Sequence, residues 1–278
     1  MYKLFDSHCH LNDEKFDKDI KEVIQENLKN NVTNLITAGY SVESSIKALK
    51  IAKEYEFMYT TCGVSPNDIP QNEEELWKQL DKIREIVSQN TDKVIAIGEI
   101  GLDYYWNTDN KELQKKAFVE QIKIANEFDL PIVIHTREAV MDTIDVLKNN
   151  EVRNRGVFHC CPQNRELIKE ALKLGFYISF AGPITFKNSK NANEIIELVP
   201  EDKLLIETDS PYLAPEPVRG TRNISANVKY VAQKIADVKK EPIEKIAKVT
   251  FENTCKVFNI KNIWKNIKKL KQNKNQHY

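Results

Sequence analysis

Eight short strand-like segments, most of them apolar, alternate with amphipathic helical segments along this 278-residue chain, and that alternation limits the folds open to it. Uninterrupted apolar runs are typical of parallel strands covered on both faces, and connections that contain a helix join such strands by right-handed crossovers. We place the strands near residues 5–10, 33–38, 58–62, 94–98, 132–134, 156–158, 176–179 and 204–206. Eight units predict a closed (β/α)8 TIM barrel, which typically needs about 250 residues, in preference to an open doubly wound sheet. We assign residues 1–260 to this single α/β domain and residues 261–278 to a helical C-terminal extension.

Six side chains of the kinds that bind metal ions lie at the carboxyl ends of the predicted strands. They are His8, His10, Glu99, His135, His159 and Asp209. The active site of a (β/α)8 barrel lies at that end of the strands, so the fold and the ligand set support each other. One histidine at a strand end is more often structural, but this set contains four of the chain's five histidines. The pattern predicts a metal centre.

The number of candidate ligands indicates two divalent ions, because a single tetrahedral zinc needs fewer. Residues two apart on a strand face the same side, so His8 and His10 can bind one ion together. We expect the first ion on His8, His10 and Asp209, the second on His135 and His159, and Glu99 between them. Two ions about 3.5–4 Å apart can acidify a shared water, which indicates hydrolysis, with Asp209 as general base and Glu99 as the second catalytic residue. Magnesium, manganese and zinc are all compatible with these donors.

Charge is balanced over the whole chain but not along it. The 41 basic and 41 acidic residues give a formal net charge of zero, which neither favours nor excludes nucleic acid as a partner. Residues 261–278 differ, because they contain six lysines and no acidic residue. Apolar residues recur there at helical spacing (Ile263, Trp264, Ile267 and Leu270), which predicts a helix packed on the barrel. The alternative is a tail that attracts the DNA backbone electrostatically.

The cysteines and the apolar segments indicate a cellular location. The chain has five cysteines, an odd number, and Cys160 and Cys161 are adjacent, so a disulfide framework is not expected. No apolar stretch approaches the roughly 18 residues of a membrane span, and charged Lys3 and Asp6 interrupt any N-terminal apolar leader. We therefore expect a soluble, cytoplasmic protein with no membrane partner.

Several longer motifs resemble those of the TatD-type deoxyribonucleases, a family in the metal-dependent hydrolase superfamily. The motifs are DSHCH (residues 6–10), GEIGLDY (98–104), LPIVIHTR (130–137), FHC (158–160), ETDSPYLAP (207–215) and RG (219–220). The resemblance covers about residues 1–260. It implies a (β/α)8 barrel, divalent metal bound by the residues that match the six candidate ligands, and hydrolysis of DNA phosphodiester bonds, often as a 3′-to-5′ exonuclease. We expect single-stranded ends to be the preferred DNA substrate.

Three segments depart from the family pattern. Ser65 stands where the family commonly has the histidine of Gly-Val-His-Pro, Cys161-Pro162 replaces Phe-Ser, and Ile224-Ser225 replaces Glu-Pro. These changes leave the candidate ligands intact and alter residues expected near the substrate. Two alternatives therefore stay open: a metal-dependent ester or amide hydrolase, such as an aminoacyl-tRNA deacylase, and a catalytically weakened relative that binds nucleic acid.

Four further residues are candidates for contact with the substrate. The planar guanidinium of Arg137, two residues beyond His135, suits a phosphate. Tyr104 begins an aromatic run on the loop after strand four, where rings could stack on unpaired bases. Arg219 and Arg222 lie on the loop after strand eight. In addition, Glu207 precedes Asp209 by two residues and is expected to orient a histidine.

Overall fold

The computed structural model describes residues 2–106 and 108–260, and in it eight parallel strands follow one another around a single sheet. The strands are β1 Leu4–Cys9, β2 Val32–Ala38, β3 Met58–Cys62, β4 Val94–Asp103, β5 Ile132–Arg137, β6 Gly156–Phe158, β7 Tyr177–Phe180 and β8 Leu204–Ile206. Each strand pairs in parallel with the next one along the chain. The prediction of a (β/α)8 barrel is confirmed.

Nine α-helices accompany the strands in the described part of the chain. They are α1 Ile20–Lys29, α2 Val42–Glu54, α3 Glu73–Gln89, α4 Lys111–Glu127, α5 Val140–Asn149, α6 Arg165–Lys173, α7 Ala192–Leu198, α8 Val228–Lys239 and α9 Ile243–Val257. Several begin at polar residues whose side chains accept a backbone N–H of the first turn, as Ser41 does for α2 and Asn164 for α6. The predicted helical extension at 261–278 lies outside the described residues.

The first and last strands meet at their carboxyl ends, and this contact closes the barrel beside the metal-type residues. The backbone N–H of Asp209 donates to the carbonyl of His8 at 3.0 Å, and that of His10 donates to the carbonyl of Ser210 at 2.7 Å. Deeper in the barrel, the side chain of Asp6 accepts hydrogen bonds from the backbone N–H and the hydroxyl of Thr208. The ligand-type residues of β1 therefore lie next to Asp209.

The barrel interior is filled by large apolar side chains from nearly every strand, and its amino-terminal end is covered by α9. The strands contribute Phe5, Ile36, Ile95, Val133, Val157, Tyr177 and Leu205. Phe251 and Val257 of α9 pack onto this cluster, together with Phe258. A second and larger cluster lies between the strands and the surrounding helices. Since α9 covers the amino-terminal end of the barrel, the accessible end is the one formed by the carboxyl ends of the strands.

Strand β4 is five residues longer than predicted, because Ile100 to Asp103 pair with β5 after a shift in register. Glu99 lies at that irregularity, with its backbone N–H bonded to the carbonyl of Gly39 at 2.8 Å. Gly101 makes the close pairing possible: its φ is +138°, and an added Cβ would lie 2.0 Å from the carbonyl oxygen of His135. Asp103 consequently reaches the carboxyl end of the barrel.

Among the helices that the structure describes, none is both long enough and apolar enough to cross a lipid bilayer.

Candidate metal centre

His8, His10 and Asp209 form one group of potential ligands. The Nε2 atoms of His8 and His10 lie 3.2 Å apart, and both face Asp209 Oδ1, at 3.7 and 3.2 Å. The predicted shared orientation of the two histidines is therefore present. The three side chains supply donor atoms within 4.8 Å of one another, a spacing that one cation can bridge.

His135 and His159 form a second group with Glu99. Nδ1 of His135 lies 2.9 Å from Glu99 Oε1, and Nε2 of His159 lies 3.1 Å from the same oxygen. The two ring nitrogens are 3.3 Å apart. These three distances describe a small triangle of two nitrogens and one oxygen.

Glu99 joins the two groups, because each of its carboxylate oxygens faces a different one. Oε1 faces the second group, while Oε2 lies 3.6 Å from His8 Nε2 and 3.7 Å from His10 Nε2. A glutamate that presents one oxygen to each of two nitrogen pairs has the arrangement of a bridging ligand.

The donor set fits cations better than protons. Only one proton can occupy the space between the facing Nε2 atoms of His8 and His10, whereas a cation accepts both lone pairs. Burial raises the pKa of Glu99, but His159 and His135 outweigh burial and hold that pKa well below its ordinary value. Burial also raises the pKa of Asp209, and the hydrogen bond with His10 more than offsets it. Both carboxyl groups are therefore ionised, which is the form that binds a metal.

Glu207 contacts His159 of the second group through the ring nitrogen that does not face Glu99, as the sequence predicted. Its Oε1 lies 3.3 Å from His159 Nδ1 and accepts the backbone N–H of Cys160 at 2.7 Å. In this arrangement the Glu207 oxygen accepts the Nδ1–H of His159, which leaves Nε2 to face Glu99.

Asp103 orients the ring of His135 in the same way, a role that was not predicted from the sequence. Its Oδ2 lies 2.9 Å from His135 Nε2 and also accepts Asn67 Nδ2 at 3.3 Å. Burial raises the pKa of Asp103, but the hydrogen bond with His135 and others lower it to about 2. Asp103 lies at the end of β4. Because the sequence predicted that this strand ends at residue 98, Asp103 was not counted among the residues at strand ends.

Two predicted substrate contacts, Arg137 and Arg219, are exposed, and the guanidinium of each lies over an aromatic ring. The Arg137 Cζ atom is 3.7 Å from the centre of the Tyr105 ring, and the Arg219 Cζ atom is 3.9 Å from that of Phe186. Within residues 2–106 and 108–260, neither guanidinium pairs with a carboxylate. Both guanidinium groups are therefore accessible to an anion.

The other two predicted substrate contacts are engaged elsewhere. The hydroxyl of Tyr104 donates to Asp142 at 2.7 Å, and its ring is partly buried against the core. Arg222 donates through both terminal nitrogens to the carboxylate of Asp19. This geometry does not favour contact of either side chain with a substrate, because the polar atoms already have partners.

Three of the residues that depart from the family pattern, Ser65, Cys161 and Ser225, are buried. Ser65 is buried, and its hydroxyl donates to Asp68 at 2.6 Å. Burial raises the pKa of the thiols of Cys160 and Cys161, which keeps both protonated. The thiol of Cys9 donates to the carbonyl of Ile36, on the side away from the histidines, so these cysteines do not add soft ligands to the two groups.

The geometry can be compared with known proteins. A family model described as TatD related DNase matches residues 5–259. The uncharacterized metal-dependent hydrolase YabD of Bacillus subtilis is 42% identical over 260 residues, which cover 92% of this chain and 99% of YabD. YcfH of Escherichia coli K12, also an uncharacterized metal-dependent hydrolase, is 36% identical over 261 residues, covering 92% of this chain and 96% of YcfH. The crystal structure of YJJV, a TatD homologue from E. coli K12, superposes with a TM-score of 0.87 at 26% identity, covering 93% of this chain and 98% of that one.

The family model spans the whole barrel, and the positions of all six ligand-type residues lie within its range of residues 5–259. Relatives above 30% identity align over nearly their entire length, so the likeness is not confined to the fold. The chain belongs to the family of TatD-related DNases and is a metal-dependent hydrolase.

Proposed function

We propose that this hydrolase cleaves phosphodiester bonds of DNA with the help of two divalent metal ions, as a 3′-to-5′ exonuclease acting on single-stranded ends. The observation that carries the proposal is the position of Glu99, whose two carboxylate oxygens face two separate groups of ring nitrogens. The family model, which is described as a DNase, supports DNA as the substrate. The 3′-to-5′ polarity rests on the family resemblance, and the preference for single-stranded ends is an expectation from the sequence.

His8, His10 and Asp209 would hold one ion, His135 and His159 the other, and Glu99 both. Bound there, a pair of divalent ions supplies positive charge that acidifies a water molecule and stabilises negative charge on phosphate oxygens.

The protein side chains have separate tasks in this scheme. Asp209 is ionised and partly exposed, with 15% of its side chain accessible, so it can take the proton of the attacking water. Glu207 and Asp103 keep His159 and His135 in the tautomers that face Glu99. Arg137 and Arg219, which have no carboxylate partner in the described residues, hold phosphates of the strand in place.

The centre is open on one side, and that side has a positive charge nearby. The side chain of His135 is 20% exposed, whereas that of His8 is 1% exposed. Arg137 follows His135 by two residues on β5, so both side chains point to the same face of the sheet. A phosphate that approaches over His135 therefore meets a guanidinium group, which favours an anionic diester over an uncharged ester.

The proposal is tested with metal-stripped protein and single-stranded DNA labelled at either the 3′ or the 5′ end. Magnesium, manganese or zinc is added, and released mononucleotides are measured. We expect metal-dependent release of nucleoside 5′-monophosphates, with the 3′ label lost first. In Glu99→Gln and Asp209→Asn, turnover should fall by about 100-fold or more, because a bridging ligand or the proton acceptor is lost, while the thermal unfolding curve is retained.

Two results would contradict the proposal. Near-native turnover in either variant would exclude the two-ion scheme, and no release with any of the three metals would exclude DNA as the substrate. In the second case, release of the acyl group from aminoacyl-tRNA or from a simple ester would identify the alternative hydrolase. Retained DNA binding without turnover would identify the weakened relative. The cytoplasmic location stays a prediction of the sequence.

A further inference from the structure

Two aromatic side chains on the loop between β4 and α4 are unusually accessible. Trp106 is 69% exposed and Tyr105 is 48% exposed. Their rings contact each other edge to face, with 4.8 Å between the ring centres. Large apolar surface left in water at adjacent positions is a common mark of a binding surface.

Arg137 joins the two rings into a single surface. Its Cζ atom lies 3.7 Å from the centre of the Tyr105 ring and 5.4 Å from that of Trp106. The Arg137 side chain is exposed, so its guanidinium can still donate N–H groups to an anion while it contacts the rings. As noted for the candidate substrate contacts, no carboxylate in the described part of the chain neutralises this charge. The surface therefore combines exposed aromatic faces with a positive charge.

The loop that carries these rings is anchored to the metal centre. Asp103 Oδ1 accepts the backbone N–H of Tyr105 at 2.9 Å and that of Trp106 at 3.1 Å. The other oxygen of the same carboxylate lies 2.9 Å from His135 Nε2. The buried carboxylate of Asp103 thus links the candidate ligand His135 to the backbone of the aromatic residues, and short hydrogen bonds fix their relative position.

We propose that Tyr105, Trp106 and Arg137 form a subsite for one unpaired nucleotide of the substrate strand, next to the nucleotide that is cleaved. The base stacks on the exposed ring of Trp106, and the Arg137 guanidinium donates to a phosphate of the same segment. Bases within a duplex are stacked on their neighbours and cannot occupy this position. The subsite therefore selects single-stranded ends, and this inference rests on the proposed function.

Binding is measured first, without turnover, on the full-length protein in the presence of a chelator. The probe is an oligothymidylate, and the signal is intrinsic tryptophan fluorescence, to which three residues contribute in this chain. Stacking of a base on Trp106 should quench its emission. We expect quenching in the wild type, none with an oligomer of the same length that lacks bases, and none in Trp106→Phe, which retains a ring but not the indole.

Kinetics with magnesium or manganese then test the role of the base. Trp106→Ala should raise KM for the oligothymidylate by about fivefold or more, the loss expected for one base–aromatic contact, with kcat little changed. Trp106→Phe should recover most of that loss. On an oligomer whose last nucleotides lack bases, wild type and Trp106→Ala should be equal. Leu28→Ala is the control: Leu28 is 42% exposed but lies in the last turn of α1, at the opposite end of the barrel.

The outcomes separate this inference from the proposed function. If the wild type cleaves DNA but Trp106→Ala weakens normal and baseless oligomers equally, the subsite is refuted and the nuclease proposal stands. If the wild type cleaves no DNA yet shows quenching that Trp106→Phe abolishes, the nuclease proposal fails and the base-binding surface stands. Absence of quenching by any single strand refutes the subsite.

Discussion

Replacing Asp103 with asparagine changes one oxygen to an amide nitrogen and should weaken metal binding. In the native structure the carboxylate accepts on both sides: from the backbone N–H groups of Tyr105 and Trp106 through Oδ1, and from His135 Nε2 through Oδ2. Asparagine has a single accepting oxygen, so it cannot satisfy both sides.

Each orientation of the new amide has a cost. If its oxygen faces the backbone of Tyr105 and Trp106, its NH2 group faces His135 Nε2, which must then accept. The ring proton moves to Nδ1, the atom that lies 2.9 Å from Glu99 Oε1, and blocks it for a metal. If the amide is reversed, two backbone N–H groups lose their acceptor, at roughly 0.5–1.5 kcal/mol each. Either route costs about 1–3 kcal/mol, in agreement with the 10- to 100-fold losses of metal affinity typical of such outer partners.

The assay is calorimetric titration of manganese or zinc into metal-stripped protein. We expect one of two binding events to weaken by about 10- to 100-fold, while the event assigned to His8, His10 and Asp209 is unchanged. Asp142→Asn is the matched control, because Asp142 accepts a hydrogen bond from Tyr104 and pairs with Lys115, away from every candidate ligand. If both affinities in Asp103→Asn stay within about twofold of the wild type, the tautomer argument is wrong.

Two further predictions concern stability. Gly101→Ala places a Cβ 2.0 Å from the carbonyl oxygen of His135 at a φ of +138°, and should lower the free energy of unfolding by roughly 3 kcal/mol or more in chemical denaturation. In Gly220→Ala an added Cβ meets no described atom within 4 Å at a φ of +87°, so the loss should be only about 1–2 kcal/mol. Equal losses in the two variants would contradict the steric argument. The hydrogen bond from Arg222 lowers the pKa of Asp19, so this pair stabilises the fold above the ordinary aspartate value of 3.8 and loses its effect as pH falls through the lower folded value. Asp19→Asn should therefore melt below the wild type at pH 7, with a difference that shrinks toward pH 3; a difference that is constant over that range would contradict the assignment.

The barrel could be predicted because its signals are local and repeated. Each apolar run and each helical stripe appears within a short window, and eight repeats leave few other architectures. The six ligand-type residues followed from the same reasoning, since parallel strands bring their carboxyl ends together, and the structure gathers the other five around Glu99. Their role as ligands stays a prediction.

Features set by pairing between distant segments could not be predicted in this way. Gly98 and Gly101 interrupt the apolar pattern of β4, so its extension to Asp103 depends on pairing with β5, which no local window records. In the turn at Tyr104, Tyr105 and Trp106 no periodicity indicates which ring faces outward; the structure buries part of the first and exposes the other two.

The contact between β1 and β8 has a consequence for folding. His10 and Asp209 come from opposite ends of the barrel sequence, and they lie side by side because the backbones of His8 and His10 bond to those of Asp209 and Ser210. A cation bound by residues at both ends of such a long loop would hold those ends together against the chain entropy that favours their separation. Any ion bound there would favour the closed barrel by mass action, since it has no comparable site on the open chain. A nascent chain that has not yet received its last strand would therefore lack the metal site as well as the barrel, and so could not act as an unfinished hydrolase.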